Sequence, residues 1–202
     1  MVKGFTNKEK EIIRDKLIEK GKELFGIYGL KKTSIVDLTK AVGIAQGTFY
    51  LFFSSKEELY FEIFEIEETR IKDKIISEFF GCGEITVDIL KKALRQGVRM
   101  FETSPIIRQI YMEDDYNIIF RKVPQERKEQ HFQKDSDYIL QLIKHWQEKG
   151  FIIEREPETI AALMRSLFAI PLHREVVGEE VYEDTMDLLT ELIAQGLIKA
   201  NV

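Results

Sequence analysis

Apolar residues recur every three or four positions along almost the whole chain, and this spacing constrains the fold more than any other feature. Near the N-terminus Leu17, Gly21 and Leu24 lie on one stripe of this kind. A period near 3.6 residues is typical of helices that bury one face, whereas a half-buried strand alternates with a period of two. Strand signals are almost absent, so we predict an all-α fold.

Glycines and capping residues divide the N-terminal part of this pattern into short helices. Gly29 is predicted to end the first helix, because glycine is the usual residue just past a helix C-terminus. Ser34 and Asp37 resemble a capping box that begins a second helix, which Gly43 ends. A third short helix is predicted over residues 45–52.

A long helix is predicted to follow over residues 55–80, begun by a second capping box of Ser55 and Glu58. Later helices are predicted near residues 85–103, 105–120, 124–149, 157–170 and 180–199. Prolines at the start of several of these segments favour a first helical turn. We therefore predict two domains: residues 1–54 with three short helices, and residues 55–202 with the long helix and a larger helical body.

Charge is distributed unevenly between these two parts. Residues 1–56 hold eleven Lys and Arg against six Asp and Glu, a net charge of +5, and the remaining 146 residues carry −10. A basic segment in an acidic protein suggests contact with a polyanion. A solvated helix face rich in lysine would give the same excess, so charge alone leaves both explanations open.

Several classes of function find no support in the sequence. Cys82 is the only cysteine, and neither a signal peptide nor a membrane-spanning apolar run is present, so we expect a cytoplasmic protein without membrane contact. His131 and His145 stand roughly 21 Å apart on one predicted helix, too far to share a metal. We expect no catalytic residues, no metal and no cofactor, and hence no enzyme.

The segment "AQGTFYLFF", residues 45–53, contains the strongest functional signal. Gly47 weakens a helix by about 1 kcal/mol relative to alanine, so another requirement must favour it. On a helical projection Ala45, Phe49 and Phe52 point to the core, while Gly47 and Tyr50 fall on the opposite side. Glycine there would permit either close approach to a ligand or tight packing against a neighbouring helix.

A short helix, a glycine-containing turn and a second short helix make a helix-turn-helix, whose last helix enters the major groove of DNA. Gln46 and Thr48 could read base edges, and Leu51 could contact a thymine methyl group. Tyr50, Lys56 and the helix N-terminus near Thr33 could bind phosphates. The predicted DNA-binding residues are Thr33, Ser34, Gln46, Gly47, Thr48, Tyr50, Leu51 and Lys56.

The run "TSIVDLTKAVGIAQGTFYLFFSSKEELY" resembles the DNA-binding signature of tetracycline-repressor-like (TetR family) transcriptional regulators. The residues that match the family pattern are Gly43, Gly47, Thr48, Tyr50, Phe53, Lys56, Glu57 and Leu59. Ala45 stands where the family often has serine, so the third helix lacks a side-chain cap. The resemblance covers residues 10–60 and implies a helical body that binds a small effector and forms a homodimer.

Bulky, adaptable side chains from several predicted helices of the body suggest a cavity for a small, largely apolar effector. Each of them could equally be ordinary core. The predicted effector-pocket residues are Phe64, Phe101, Arg108, Tyr111, Tyr138, Trp146, Met164 and Phe168, with Gln109 and His145 as further polar candidates.

Apolar residues cover nearly half the circumference of the last helix, more than the stripe that packing on one core requires. The extra width suggests burial against a second subunit, in agreement with the family's four-helix dimer interface. The predicted interface residues are Leu163, Leu167, Ile170, Met186, Leu189, Ile193 and Leu197.

Together these features predict a ligand-responsive DNA-binding transcriptional regulator, a repressor that a small-molecule effector releases from its operator. A dimer implies a near-palindromic operator. The alternatives are a helical protein–protein adaptor that retains the fold without specific DNA binding, and an enzyme whose site the motifs do not show.

Overall fold

The computed structural model describes residues 5–80, 83–112, 119 and 121–199, without the side chains of residues 111, 112, 132 and 134–137. The all-α prediction is confirmed. The helices described are α1 (Asn7–Lys32), α2 (Ile35–Val42), α3 (Gln46–Phe49), α4 (Lys56–Phe79), α5 (Val87–Thr103), α6 (Pro105–Met112), α7 (Gln125–Glu148), α8 (Pro157–Ser166), α9 (Arg174–Val177) and α10 (Tyr182–Leu197). A 3₁₀ turn, Ile170–His173, precedes α9. Within these ranges, β-pairing is confined to an isolated bridge between Ile152 and Ile198.

Helix boundaries differ from the predictions at several helix ends. Helix α3 ends at Phe49 rather than at residue 52, and its N-cap, Ala45, makes no side-chain hydrogen bond. The chain continues as tight turns, in which the Phe53 N–H donates to the Phe49 carbonyl at 3.1 Å. The predicted end of the 105–120 helix lies outside the described residues.

Two predicted N-terminal features of the chain are present in detail. Gly29 has φ 78° and ψ 167°, which interrupts the regular helix geometry of α1. The helix continues after this kink and ends at Lys32. The capping box of Ser34 and Asp37 is complete, since the Asp37 N–H donates to Ser34 Oγ and the Ser34 N–H donates to the Asp37 carboxylate. The hydrogen bonds from Ser34 lower the pKa of Asp37.

The second predicted capping box is only half formed. The Glu58 N–H donates to Ser55 Oγ at 3.1 Å, as expected. The Glu58 carboxylate, however, accepts from the N–H and hydroxyl of Ser54 rather than from Ser55. The reciprocal bond is therefore shifted one residue toward the N-terminus.

The chain forms two compact units, Met1–Glu68 with Pro105–Lys128 and Thr69–Ser104 with Glu129–Val202. Helices α4 and α7 each contribute their first part to the first unit and the remainder to the second. The predicted division into 1–54 and 55–202 separates proposed roles rather than compact bodies, and it stays a prediction.

The core of the first unit joins α1, α2, α3, α4 and α6. Leu17, Leu38, Phe49 and Leu59 are all fully buried there. Gly21 allows α1 and α4 to approach closely, because a Cβ atom at this position would lie 2.8 Å from Ile63 Cδ1.

A buried polar network also ties three helices of this unit together. The side-chain amide of Gln109 on α6 donates to the Phe25 carbonyl of α1 at 2.9 Å. The Tyr60 hydroxyl on α4 lies 2.8 Å from the Ile106 carbonyl and 3.1 Å from Gln109 Oε1. Gln109 therefore has a structural role in the first unit.

The second unit has its own core, formed by residues of α5, α7, α8 and α10 with the loop around Ile152. Arg95 on α5 is buried and pairs with Asp187 and Glu183 of α10. The Tyr182 hydroxyl donates to Glu102 at 2.7 Å. In the described part of the chain, no helix has the length and apolar character needed to cross a membrane.

Candidate nucleic-acid interface

Helices α2 and α3 are joined by a sharp turn that depends on Gly43. This residue has φ 78°, in the left-handed region that glycine adopts without strain. Its N–H donates to the Thr39 carbonyl at 2.9 Å, and the Ile44 N–H donates to the same carbonyl at 3.0 Å. The turn therefore closes α2 and redirects the chain into α3, as a helix-turn-helix requires.

One side of α3 is fixed in the core of the first unit. Phe49 and Phe53 are buried, and their ring centroids lie 5.9 Å apart. The Arg14 guanidinium lies over the Phe53 ring at 5.3 Å. These contacts hold a helix that is too short to be stable by itself.

The other side of α3 is open to solvent. Gln46 and Gly47 are exposed, and Thr48 is partly exposed. Tyr50 and Leu51, in the turn that follows, are 55% and 66% exposed. The predicted outward side is exposed, whereas Ala45, which was predicted to face the core, is exposed as well. Contact of the outward side with DNA stays a prediction.

Packing inside the described chain does not explain Gly47. A Cβ atom at this position would have no heavy atom within 4 Å, apart from its own helix and chain neighbours. Gly47 is also absent from the glycines with positive φ, so its backbone does not require glycine. Of the two explanations that the sequence left open, tight packing on a neighbouring helix is excluded among the described residues.

Thr33 and Ser34 are used inside the chain rather than left for a phosphate. Thr33 is buried, and its hydroxyl donates to the Gly29 carbonyl at 2.8 Å. The Ser34 hydroxyl donates to the Asp37 carboxylate at 2.6 Å. The predicted phosphate contact at Thr33 relied on free backbone N–H groups, but the Thr33 N–H itself donates to the Gly29 carbonyl at 3.2 Å, so this assignment is corrected. Ser34 serves first as the cap of α2.

Lys56 has a different role from the predicted one as well. Its ammonium donates to the Leu30 carbonyl at 2.6 Å and to the Thr33 carbonyl at 2.7 Å. An ammonium held by backbone carbonyls has less capacity for a phosphate. Sequence reasoning assigned Lys56 to DNA because its charge is visible in the sequence and the distant carbonyls are not.

Other cations lie exposed beside the helix-turn-helix. Lys32 precedes α2 and Lys40 lies in its last turn, and both are exposed. Sequence analysis did not single them out, although the basic excess of residues 1–56 includes them. They are better placed than Lys56 to attract a polyanion.

Most residues predicted for the dimer interface lie in the core of the second unit. Leu167, Met186, Ile193 and Leu197 are buried there, and Ile170 and Leu189 pack against the same cluster. A side chain buried in its own core cannot also contact a second subunit, so the assignments of Leu167, Met186, Ile193 and Leu197 are corrected. Ile170 and Leu189 are only partly buried, and their place in a dimer interface stays a prediction.

The exposed apolar residues of α8 and α10 are different ones. Leu163 is 40% exposed, and Leu188 and Leu192 are 59% and 55% exposed. Leu188 and Leu192 are four residues apart and therefore neighbours on one face of α10. The apolar residues of the last helix thus lie both inside and outside the core, and the sequence did not reveal which side faces inward. Burial of the outer side against a second subunit stays a prediction.

The predicted effector-pocket residues fall in both units. Phe64 is buried in the first unit, where Arg108 is exposed, and the side chain of Tyr111 lies outside the described residues. The members in the second unit are Phe101, Tyr138, Trp146, Met164 and Phe168.

Two aromatic contacts organise these residues of the second unit. The Phe101 and Phe168 rings lie 5.4 Å apart, and Trp146 packs against Phe80 at 4.9 Å. Tyr138 is half exposed, and partial burial raises its pKa. His145 is exposed, so it is not part of this group. Phe101, Met164 and Phe168 are only partly buried, which leaves them able to rearrange.

No group of three or more His, Cys, Asp or Glu suitable for a metal occurs among the described residues. Several ionic contacts of the first unit join helices to one another. Arg127, for example, pairs with Glu65 at 2.7 Å and Glu62 at 3.2 Å, and its side chain lies over the Phe61 ring.

Comparison with known proteins concentrates on the same region. The family model described as "Bacterial regulatory proteins, tetR family" matches residues 17–63. The uncharacterized HTH-type transcriptional regulator YvdT of Bacillus subtilis (strain 168) is 42% identical over 78 residues, which are 38% of this chain and 40% of YvdT. The HTH-type transcriptional regulator AcrR of Shigella flexneri is 32% identical over 66 residues, 33% of this chain and 31% of AcrR.

Similarity of structure extends further than similarity of sequence. A TetR-family transcriptional regulator from Pectobacterium atrosepticum superposes with a TM-score of 0.74, over 97% of this chain and 99% of that chain, at 20% identity. At that identity the likeness is one of fold alone. The matches to the two curated relatives span less than half of either relative's length.

Proposed function

Because this chain belongs to the TetR family of bacterial transcriptional regulators, we propose that it is a dimeric repressor that binds a near-palindromic operator and is released from it by a small effector. The exposed side of α3 is the observation that carries the proposal. It presents an unexplained glycine between two polar side chains on a helix whose opposite side is fixed in the core.

The base-reading part of the site consists of Gln46, Thr48 and Leu51. Glutamine can bind adenine in a bidentate manner, threonine can bond to several bases, and an apolar side chain suits the thymine methyl group. Gly47 lets the backbone of α3 approach the groove closely. Tyr50, exposed beside them, has a hydroxyl suited to a phosphate.

The electrostatic part of the site consists of exposed lysines near α2. Lys32 precedes this helix and Lys40 lies in its last turn, and they replace Thr33 and Lys56 as the phosphate contacts we propose. Each phosphate contact releases counterions, so the logarithm of the affinity should fall with the logarithm of the salt concentration by about 0.9 per contact.

Dimerisation is proposed to use the outward apolar side chains Leu163, Leu188 and Leu192. Their exposure leaves apolar area that association with a second copy would remove from water. A two-fold symmetric dimer places two α3 helices on two half-sites, separated by about one helical turn of DNA or a small multiple of it.

The effector is proposed to bind in the second unit near Phe101, Met164 and Phe168. These side chains are partly buried and adaptable, which suits a largely apolar ligand. Release requires that the effector binds one conformation of the dimer more tightly than the operator-bound one. This role places the protein in the cytoplasm and involves no enzymatic step.

Selection of bound sequences from random double-stranded DNA tests the proposal. The wild type should enrich one near-palindromic motif, whereas a variant with Gln46→Ala and Thr48→Ala should enrich a more degenerate one. A folded dimer that enriches no motif at low salt would refute operator binding and favour the protein–protein adaptor.

Effector binding can be tested separately through Trp146, the only tryptophan. Its ring lies in the core of the second unit, so occupancy there should change its fluorescence. Phe168→Ala should weaken the response to an apolar ligand, and the exposed substitution Lys149→Ala serves as a control. Ligands that change operator affinity with no change in this fluorescence would place the effector elsewhere.

A further inference from the structure

We propose that Lys56 is a positioning residue for DNA recognition, which fixes the base of the segment that carries α2 and α3. The inference rests on the proposed function and adds a role that differs from direct phosphate contact.

The ammonium of Lys56 makes a compact set of contacts with one turn of the backbone. Its Nζ atom lies 2.6 Å from the Leu30 carbonyl, 2.7 Å from the Thr33 carbonyl and 3.5 Å from the Lys31 carbonyl. An ammonium has three N–H donors, and bonds from a charged donor are stronger than neutral ones. Lys56 therefore holds the turn between α1 and α2 firmly.

Lys56 shares the support of this turn with Thr33 and with the buried side chain of Leu30. Regular helix geometry in α1 is interrupted at Gly29, so the carbonyls that follow lie beyond the unbroken helix. The Thr33 hydroxyl supports the turn from the other side by donating to the Gly29 carbonyl at 2.8 Å. Lys56, the first residue of α4, supports the turn from that helix.

The position of this contact along the chain gives it a specific consequence. Thr33 immediately precedes residues 34–55, which contain α2, the turn and α3, and Lys56 immediately follows them. The bond from Lys56 to the Thr33 carbonyl therefore closes that segment at its base. Phe49 and Phe53 hold the same segment from within, through the core.

These two supports have different effects when they are removed. Loss of Phe49 would empty the core and unfold the unit. Loss of the Lys56 ammonium would leave the core filled but would let the base of the segment shift. Base contacts depend on accurate placement, whereas general attraction to phosphates does not. Lys56 should therefore affect specificity more than it affects nonspecific binding.

The experiment compares Lys56→Met with Lys40→Met on the full-length protein. Methionine keeps an unbranched stem but has no ammonium, and Lys40 is an exposed lysine of α2. Dissociation constants are measured across a salt series for the selected operator and for an unrelated duplex, at a temperature where melting curves show both variants folded. Lys56→Arg, which retains cationic donors, is the rescue variant.

Positioning predicts that Lys56→Met weakens operator binding by about tenfold or more, comparable to the loss of one good base contact. Binding to the unrelated duplex should change less than about twofold, and the salt slope should stay at the wild-type value because no phosphate contact is lost. Lys56→Arg should recover most of the operator affinity. Lys40→Met should weaken both duplexes and lower the slope by about 0.9.

Three results would overturn the proposal. Equal weakening on both duplexes with a slope lower by about 0.9 would assign Lys56 to a phosphate. Wild-type operator affinity in Lys56→Met would show that the contact is dispensable. Amide hydrogen exchange over residues 34–55 that is no faster in Lys56→Met would show that the segment does not depend on the ammonium.

Failure of the proposed function would look different. A wild type that selects no operator would refute DNA recognition, and the exchange measurement would still decide whether Lys56 fixes the segment. A Lys56→Met variant that does not fold would leave Lys56→Arg for comparison. A folded Lys56→Arg protein with operator affinity as low as that for unrelated DNA would then refute the positioning role.

Discussion

Replacing Gly47 by alanine adds a single methyl group, and we expect it to raise the stability of the protein while it weakens DNA binding. The new Cβ would meet no heavy atom within 4 Å in the described structure, so no packing has to adjust. Alanine is favoured over glycine in a helix by up to about 1 kcal/mol. The melting temperature should therefore rise, by up to roughly 2–4 °C for a chain of this size.

Operator affinity should change in the opposite direction. If the backbone of α3 lies against the groove, a methyl group there needs about 3.5–4 Å to its neighbours and forces the helix away from the bases. We expect affinity to fall tenfold or more, about 1.4 kcal/mol. Thermal melting and a titration of the selected operator, both on the full-length protein, measure the two effects.

Gly26→Ala is the matched control. Gly26 also lies in a helix, and its added Cβ would make an ordinary contact, 3.8 Å from Pro105 Cβ. This variant should gain stability in the same way and bind the operator normally. Refutation would come from a Gly47→Ala protein that binds the operator as tightly as wild type, or that melts several degrees lower.

Three other predictions follow from the same structure. Gln46→Ala and Thr48→Ala should each relax base preference at one operator position by about 1–3 kcal/mol, as measured with duplexes changed at single base pairs; uniform weakening on all duplexes would contradict base reading. Leu192→Glu should yield folded monomers in light scattering, and a dimer of this variant would place the interface elsewhere. Ile193→Glu should instead lower the melting temperature strongly, because it buries an unpaired charge. Burial and the hydrogen bond to a carboxylate raise the pKa of Tyr182, so its contribution to stability is complete below about pH 10 and is lost as the pH rises beyond that value. The stability of Tyr182→Phe should therefore fall less steeply with pH in alkaline titrations, and identical curves for the two proteins would refute this contribution.

Local sequence signals predicted the features of the fold that depend on local chemistry. The capping box of Ser34 and the helix break at Gly29 follow from hydrogen bonds and backbone freedom within a few residues, and both are present. The end of α3 was placed three residues too late. Helical periodicity continues through turns that follow a short helix, so the pattern alone could not locate that boundary.

Features that depend on contacts between distant segments were predicted less well. The sequence shows the charge of Lys56 but not the carbonyls 23 to 26 residues away that bind it. Similarly, Ile193 and Leu192 are adjacent apolar residues, and only the packing of α10 decides that one is buried and the other exposed. On α3 the helical projection placed Gln46 and Tyr50 correctly on the exposed side, but it placed Ala45 on the core side although this residue is exposed.

The division of α3 into a buried and an outward side also affects how this protein could acquire a new operator. Phe49 and Phe53 maintain the fold, whereas Gln46, Thr48 and Leu51 have little part in the core. Substitutions at these outward positions should therefore alter target choice with little penalty in stability, since exposed residues tolerate exchange within about 0.5 kcal/mol. A library randomised at these three positions should remain largely folded, so a laboratory selection, like natural divergence, could search many DNA targets on one unchanged scaffold.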